Sequence, residues 1–270
     1  MNIEDRKRVA ELNKKVYSSN EEYVSGAPHL KHATIRKLHY SLITKVYNRV
    51  KFINDTPKIL DLGAGEGSVT STFLELGGAV TAVDISKEQL EVLQGRCSHL
   101  KGVLTICCND IYKVLESENE KYNIITFNSF LHHIPDYIDL ISRTLPLLKE
   151  GGQLFAFQDP MRYDTMKVMD SLFTNFSYFI WRVFQDDAIR GMARWIRRRV
   201  GVYKDNSMHD NAEYHVVRNG VDQEAIQVLL EGNLFKCEIV TYFSTQNATL
   251  QRIGEFFKFK NTFAVVAKKL

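Results

Sequence analysis

The sequence predicts an α/β protein: a doubly wound, seven-stranded sheet whose last strand runs antiparallel, with helices before the first strand and a helical insertion after the fifth. Three observations carry this expectation. Short β-rich runs alternate with segments of helical period, through PKILDL (57–62), AVTAVDI (79–85), VLTICC (103–108), YNIITFN (122–128) and QLFAFQ (153–158). The first run ends in a glycine-rich turn, ILDLGAGEGS (59–68), with Gly63, Gly65 and Gly67 spaced two apart. The chain closes on two more runs, KCEIVTYF (236–243) and TFAVVAKK (262–269), with no long helix between them, so the final strand is expected to enter antiparallel.

The charged opening, residues 1–52, reads as a helical cap, and residues 53–160 as the sheet's core. Helices are expected from near Gly65, through Leu90 and Leu93, and from about Tyr137 to Lys149, the last followed by the turn KEGG. Residues 221–270 return to the sheet through the helix DQEAIQVLLEGNLF. The loop of roughly 18 residues before the last strand is long for a hairpin and marks a functional or packing excursion.

Residues 161–220 form an insertion too long for a plain connection, so it should carry substrate recognition or assembly. Met169, Leu172, Phe173, Phe176, Phe179, Ile180, Val183 and Phe184 fall on one helical stripe, as in a lid helix buried against the domain. The next segment, AIRGMARWIRRRVGVY, sets Ile189, Met192, Ala193, Ile196 and Val200 against Arg190, Arg194, Arg197 and Arg198. That basic face has three readings: a solvated surface, a weak contact with an anionic membrane, or a grip on an acidic carrier or phosphate-bearing substrate.

Composition narrows the function. At 44% hydrophobic residues the chain can bury a full core, while a formal charge of +3 is too mild to announce a nucleic-acid partner. Cys97, Cys107, Cys108 and Cys237 show no C-x-x-C spacing, the opening MNIEDRKRVAEL lacks a signal peptide's apolar core, and no run of about 18 apolar residues appears. A cytoplasmic chain with reduced thiols and no metal is expected.

The glycine turn argues against one cofactor class. A dinucleotide fingerprint, G-x-G-x-x-G, needs a third glycine where this chain has Ser68. The pattern here is D-x-G-x-G-x-G from Asp61. Asp84 closes the second strand, where an acid accepts hydrogen bonds from ribose hydroxyls, and CCNDI closes the third on Asp110 and Ile111.

DLGAGEG, these strand-end acids, YNIITFNSFLHHIPD and LLKEGGQLFAF together resemble the class I S-adenosylmethionine (SAM) dependent methyltransferases of small-molecule type, over roughly residues 57–160 and more loosely 220–270. The resemblance implies a Rossmann-like fold, SAM as cofactor and S-adenosylhomocysteine (SAH) as product. It places Asp61, Gly63, Gly65 and Gly67 around the cofactor, Asp84 and Ile85 at its ribose, Asp110 and Ile111 at its adenine, and Asn128 and Ser129 beside its methionine part. The acceptor it implies is a natural product, sugar or lipid-like molecule methylated at oxygen or nitrogen. Enzymes that methylate base amines or glutamine amides carry Asn or Asp, two prolines and an aromatic where this chain has NSFL, which disfavours that chemistry.

A base is needed only if the acceptor keeps its proton, and His132 and His133 are the candidates, His133 preferred. The alternative is that one packs on the helix starting at Pro135 and the other is solvated. His29 and His32, around a turn set by Gly26 and Pro28, and Glu213, His215 and Arg218 are candidate substrate contacts, with ordinary loop stabilisation as the other reading. Two rivals remain: a nucleotide-dependent oxidoreductase, opposed by Ser68 and Asp110, and a non-catalytic interaction protein, opposed by the intact motif.

Overall fold

The computed structural model describes residues 3–17, 27–51, 56–185, 187–204 and 207–270. Gly26, one residue of the turn before His29, lies outside them. Seven strands form one sheet in the order β3-β2-β1-β4-β5-β7-β6: β1 Lys58–Leu62, β2 Ala79–Asp84, β3 Val103–Cys108, β4 Tyr122–Asn128, β5 Leu148–Pro160, β6 Phe235–Tyr242 and β7 Thr262–Lys269. The pairs among β1 to β5 are parallel, and β7 is antiparallel to both β5 and β6.

Side chains alternate across the strands, and this divides the core into two layers. Leu60, Leu62, Ile125, Phe127 and Leu154 meet one set of helices, α6 (Ile111–Ser117), α7 (Tyr137–Thr144) and α11 (Gln223–Gly232). Ile59, Val80, Ile124, Phe155 and Phe157 meet the other, α3 (Ala33–Lys51), α4 (Ser68–Glu75) and α5 (Lys87–Cys97). Before α3 come α1 (Ile3–Tyr17) and the single turn α2 (Pro28–Lys31).

Two local expectations change. The helix expected to reach Lys149 stops at Thr144, because Pro146 cannot continue it, and KEGG lies inside β5, at a register jump opposite Tyr122 and Ile124. The excursion before β7 holds a helix, α12 (Ala248–Phe256), started by the Asn247 side chain accepting from Thr249 and Leu250 N–H.

The insertion differs more. It holds α8 (Val168–Val183), α9 (Ala188–Arg199) and α10 (Met208–Asn211). The stripe on α8 is not buried: Met169, Leu172, Phe176, Phe179, Val183 and Phe184 are all exposed. The helix turns its polar side inward instead. Asp170 Oδ1 accepts from Lys260 N–H, and Arg182 pairs with Asp187, its guanidinium crossing α9 where a Cβ on Gly191 would overlap it. On α9, Arg194 also takes Asp187, while Arg197 and Arg198 bind the fully buried Asp210 at 2.7 and 2.8 Å. The basic face is therefore largely consumed inside the insertion, with Arg190 left exposed, and Ile189, Ile196 and Val200 face outward. Among the described residues no helix is long and apolar enough to cross a membrane.

Candidate active site

The site forms at the C-terminal ends of β1, β2 and β4, where parallel strands release their loops. After β1 the chain turns through Gly63 and Gly65 with φ of +74° and +53°, in the left-handed region that favours glycine. Gly63 and Ala64 N–H both donate to the Val83 carbonyl, which stitches the turn to β2. A Cβ on Gly63 would stand 2.1 Å from the Phe130 ring, whereas one on Gly65 would meet nothing within 4 Å. The turn thus presents bare backbone to an open space. Glu66, held by Arg96, helps line it.

Asp84 is fixed from both sides: Oδ2 accepts from Gly65 N–H and Oδ1 from Ser86 N–H, each at 2.9 Å. Burial raises its pKa and these backbone bonds oppose the rise. Asp110 uses Oδ1 to cap α6, accepting from Tyr112 and Lys113 N–H at 3.0 and 3.3 Å. Across from the turn, Asn128 Nδ2 donates to Ser68 Oγ at 3.1 Å. The hydroxyl that replaces a glycine at 68 thus ties β4 to the turn. Ser129 follows at φ +51°, a strained value for a residue with a side chain, and donates its N–H to the Phe157 carbonyl at 2.7 Å.

These groups line one cleft with two lobes, the larger about 850 Å³ with its open mouth. Gly63, Gly65, Asp84, Ile85, Asn128 and Ser129 line the first lobe, and Asp110 and Ile111 join in the second. Helix α1 roofs the second lobe with Arg6, Val9, Ala10 and Asn13. Arg6 holds the roof down, pairing with Asp136 and Asp139 at 3.2 and 3.1 Å, its guanidinium 4.8 Å from the Tyr112 ring.

Four buried histidines, His29, His39, His132 and His133, lie at or behind one side of the cleft. His133 lines both lobes and donates Nδ1–H to the Ala212 carbonyl, which leaves the lone pair on Nε2. Burial, then neighbouring His132, holds its pKa well below the ordinary value. His29 lines the first lobe with neither ring nitrogen partnered among the described residues, and burial pushes it down to about 4. His39 packs against it at 5.4 Å and on Phe157 at 4.6 Å. His132 turns away from the cleft: Nδ1 and Asp159 Oδ1 meet at 2.8 Å, and the same oxygen accepts the His132 backbone N–H. Asp159 reaches it because β5 bulges at Phe157–Asp159, with Gln158 at φ +69°. Burial lowers His132 and raises Asp159, so the pair holds one proton between them.

Several sequence candidates are not among the residues lining the cleft. Asp61 is fully buried, accepts the Thr70 hydroxyl at 2.5 Å and is pushed up to about 7 by burial. It braces α4 from beneath the turn. Gly67 caps that helix and packs on Leu93. His32 meets the Thr245 carbonyl at 2.7 Å. His215 N–H donates to the His132 carbonyl and its Nε2 lies 3.0 Å from the Ile134 carbonyl, so the segment with Glu213 braces the loop after β4 from outside. Arg218 lies over Tyr214 at 3.6 Å and donates to the carbonyls of Asp210 and Tyr214. In the other direction, Phe130, Gln89, Glu66 and the α1 residues line the cleft without having been singled out. Phe130 stood inside the quoted NSFL; for α1 nothing in the sequence pattern says which lobe it covers.

Residues 59–152 match a family model described as a methyltransferase domain. Ubiquinone biosynthesis O-methyltransferase of Coxiella burnetii (strain RSA 493 / Nine Mile phase I) is 31% identical over 97 residues, 36% of this chain and 41% of that protein. The Vibrio vulnificus (strain YJ016) protein of the same name is 31% identical over 98 residues, 36% of this chain and 42% of that one. The chain therefore spans less than half the length of these curated relatives. Magnesium protoporphyrin IX methyltransferase from Synechocystis PCC 6803, solved with bound SAM, superposes with a TM-score of 0.55 at 13% identity, covering 100% of this chain and 99% of that one. The plantazolicin methyltransferase BpumL, solved with SAH, gives 0.54 at 15%, covering 99% and 97%. At such identities the likeness shows a shared fold. The family match spans the glycine turn, Asp84 and Asp110, and the whole sheet shares the fold of these methyltransferases.

Proposed function

We propose that the protein is a SAM-dependent methyltransferase acting on an oxygen or nitrogen of a small-molecule acceptor. The observation that supports this most directly is the open space over Gly65 beside the fixed carboxylate of Asp84, a cradle that a single Cβ would fill. In this reading Asp84 receives the ribose hydroxyls, Asp110 uses its remaining oxygen for the adenine amino group between Ile85 and Ile111, and Asn128 and Ser129 flank the methionine end. Bound there, the cofactor supplies an electrophilic methyl group.

The chain's own work is mainly positioning, because holding reactants in a near-attack arrangement removes most of the entropic barrier to a displacement. His29 and His133, both neutral near pH 7, offer lone pairs to an acceptor O–H or N–H; this orients the nucleophile and gives its proton a place to go. His132 acts indirectly, with Asp159 and His215 holding the loop that carries His133. Relatives and neighbours named for ubiquinone biosynthesis, plantazolicin and protoporphyrin methylation support a small-molecule acceptor. All four cysteines are free, which supports a reducing, cytoplasmic setting.

Calorimetry with SAM, SAH and NADH tests the reading, together with methyl transfer from SAM to a panel of phenols, amines and carboxylates. SAM and SAH should bind and NADH should not, and Asp84→Ala should weaken SAM about 10- to 100-fold, since hydrogen bonds to a charged group are worth about 1.5–3 kcal/mol. NADH binding more tightly than SAM, or Asp84→Ala within threefold of wild type, would overturn the assignment.

A further inference from the structure

The apolar stripe on α8 runs on into a second element. Met169, Leu172, Phe176, Phe179 and Val183, between 49% and 61% exposed, lie along one side of the helix. Phe173 stands 6.2 Å from Phe176 and 4.8 Å from Phe259, Phe259 stacks at 5.8 Å on Phe257, and Phe257 meets Phe256 at 5.1 Å. Phe256 and Phe257 are themselves 79% and 61% exposed. One aromatic belt therefore crosses from α8 to the loop after α12, and an exposed apolar patch of this extent marks an interaction surface.

The exposed charges within the belt are all of one sign. Lys167 stands at the head of α8, Arg252 one turn before Phe256, and Lys258 and Lys260 alternate with Phe257 and Phe259. All four are exposed, and none has an acidic partner among the described residues. Glu255, on the same helix, is occupied by Thr34 and Gln251. A second copy of the chain would bring the same cations face to face with these. An anionic bilayer meets both demands at once: phenyl rings enter the headgroup boundary while lysines stay with the phosphates.

We propose that this Phe–Lys belt seats the protein on an anionic phospholipid surface. The belt lies at the edge of the sheet that carries the cleft. The loop from Phe257 enters β7 where Thr262 pairs with Pro160 at the end of β5. The short helix α2 links the two regions, since His29 lines the cleft while His32 and Thr34 bond to Thr245 and Glu255 around α12. A protein seated by the belt therefore holds the cleft's edge of the sheet toward the bilayer.

Co-sedimentation with phosphatidylcholine vesicles, with and without phosphatidylglycerol, tests the proposal without reference to catalysis. The protein should pellet with the anionic vesicles and release as salt rises, because exposed charges are screened over about 10 Å at 0.1 M. The double variant Lys258→Gln/Lys260→Gln should bind about 30-fold more weakly, at roughly fivefold per lysine, and Phe256→Ser/Phe257→Ser at least about tenfold more weakly. Both should keep the wild-type melting temperature, since the side chains are exposed. No pelleting at low salt, or pelleting that both variants leave unchanged, would overturn the proposal. A dimer in light scattering that Phe256→Ser/Phe257→Ser converts to monomer would overturn it too, by assigning the belt to a second copy.

Discussion

Substituting alanine at Gly65 and at Gly63 separates stability from cofactor binding, because the two Cβ atoms would enter different surroundings. At Gly65 the new atom meets nothing within 4 Å, so the cost to the fold is the left-handed backbone alone, φ +53°. That penalty is about 1–2 kcal/mol, which in a domain of this size lowers the melting temperature by about 2–8 °C. The Cβ would nevertheless project into the space where SAM has to approach the backbone, so affinity should fall at least tenfold. At Gly63 the atom would stand 2.1 Å from Phe130 Cδ2 with φ +74°, and Phe130 lines the cleft. Overpacking then adds about 1–3 kcal/mol to the backbone term, and the displaced ring obstructs the site, so stability and affinity fall together. Gly95, exposed in the last turn of α5 with nothing within 4 Å, is the control: Gly95→Ala should stabilise by up to about 1 kcal/mol and leave binding alone. Thermal melts and calorimetry on the three variants read this out. If Gly65→Ala binds SAM within threefold of wild type, the cofactor does not pass over that turn and the reasoning fails.

The acceptor side and the pH response follow from the buried histidines. His29→Ala and His133→Ala should each lower turnover while leaving SAM affinity nearly unchanged, and the wild-type rate should hold down to about pH 5 before falling, because burial moves His29 to about 4; a limb centred near 6.5 would contradict these assignments. Stability should be greatest near pH 7 and decline as pH falls below it. His29, His39 and His133 are neutral when folded, at about 4, about 3 and well below 6.5, and charge on unfolding. Asp61, raised to about 7, holds one proton more when folded, and the His132–Asp159 pair holds one in either state. Unfolding near pH 5 thus takes up protons on balance, so stability falls with pH, and a melting temperature that rises between pH 6.5 and 4.5 would contradict it.

The sheet and the glycine turn were legible because backbone chemistry dictates them. Alternation along KILDL and YNIITFN fixes which side chains enter each layer, and positive φ at 63 and 65 requires glycine. Asp84 and Asp110 stand at strand ends because a doubly wound sheet releases its loops there. Sequence spacing could not say which acid of a motif lines the cleft and which faces the core. Asp61 occupies an alternate position on β1 and turns beneath the turn to Thr70, while Asp84 points along its strand to Gly65 N–H. The histidine pair shows the same limit. His132 and His133 are neighbours in a single 3-10 turn, so one faces outward into the cleft and the other inward, and only the bulge that brings Asp159 under the turn decides which.

The insertion shows why a helical period names two faces without saying which one the fold keeps. On α9 the rule that apolar residues go inward would bury Ile189, Ile196 and Val200, yet the arginine side is the one that packs. The deciding residue lies beyond the helix: Asp210, fully buried on α10, would be raised by burial, but bonds from Arg197, Lys204 N–H and Arg198 outweigh that and hold it below the ordinary carboxylate range. A buried carboxylate without those partners would cost several kcal/mol, more than exposing a few aliphatic side chains, so the helix rolls its guanidinium groups toward the acid. Arg182 and Asp187 impose the same choice at the α8–α9 corner, with Gly191 leaving room for the guanidinium. The apolar sides of both helices are thereby left exposed by ion pairing within the insertion, and on α8 that exposure continues into a ring belt whose lysines meet no acid among the described residues.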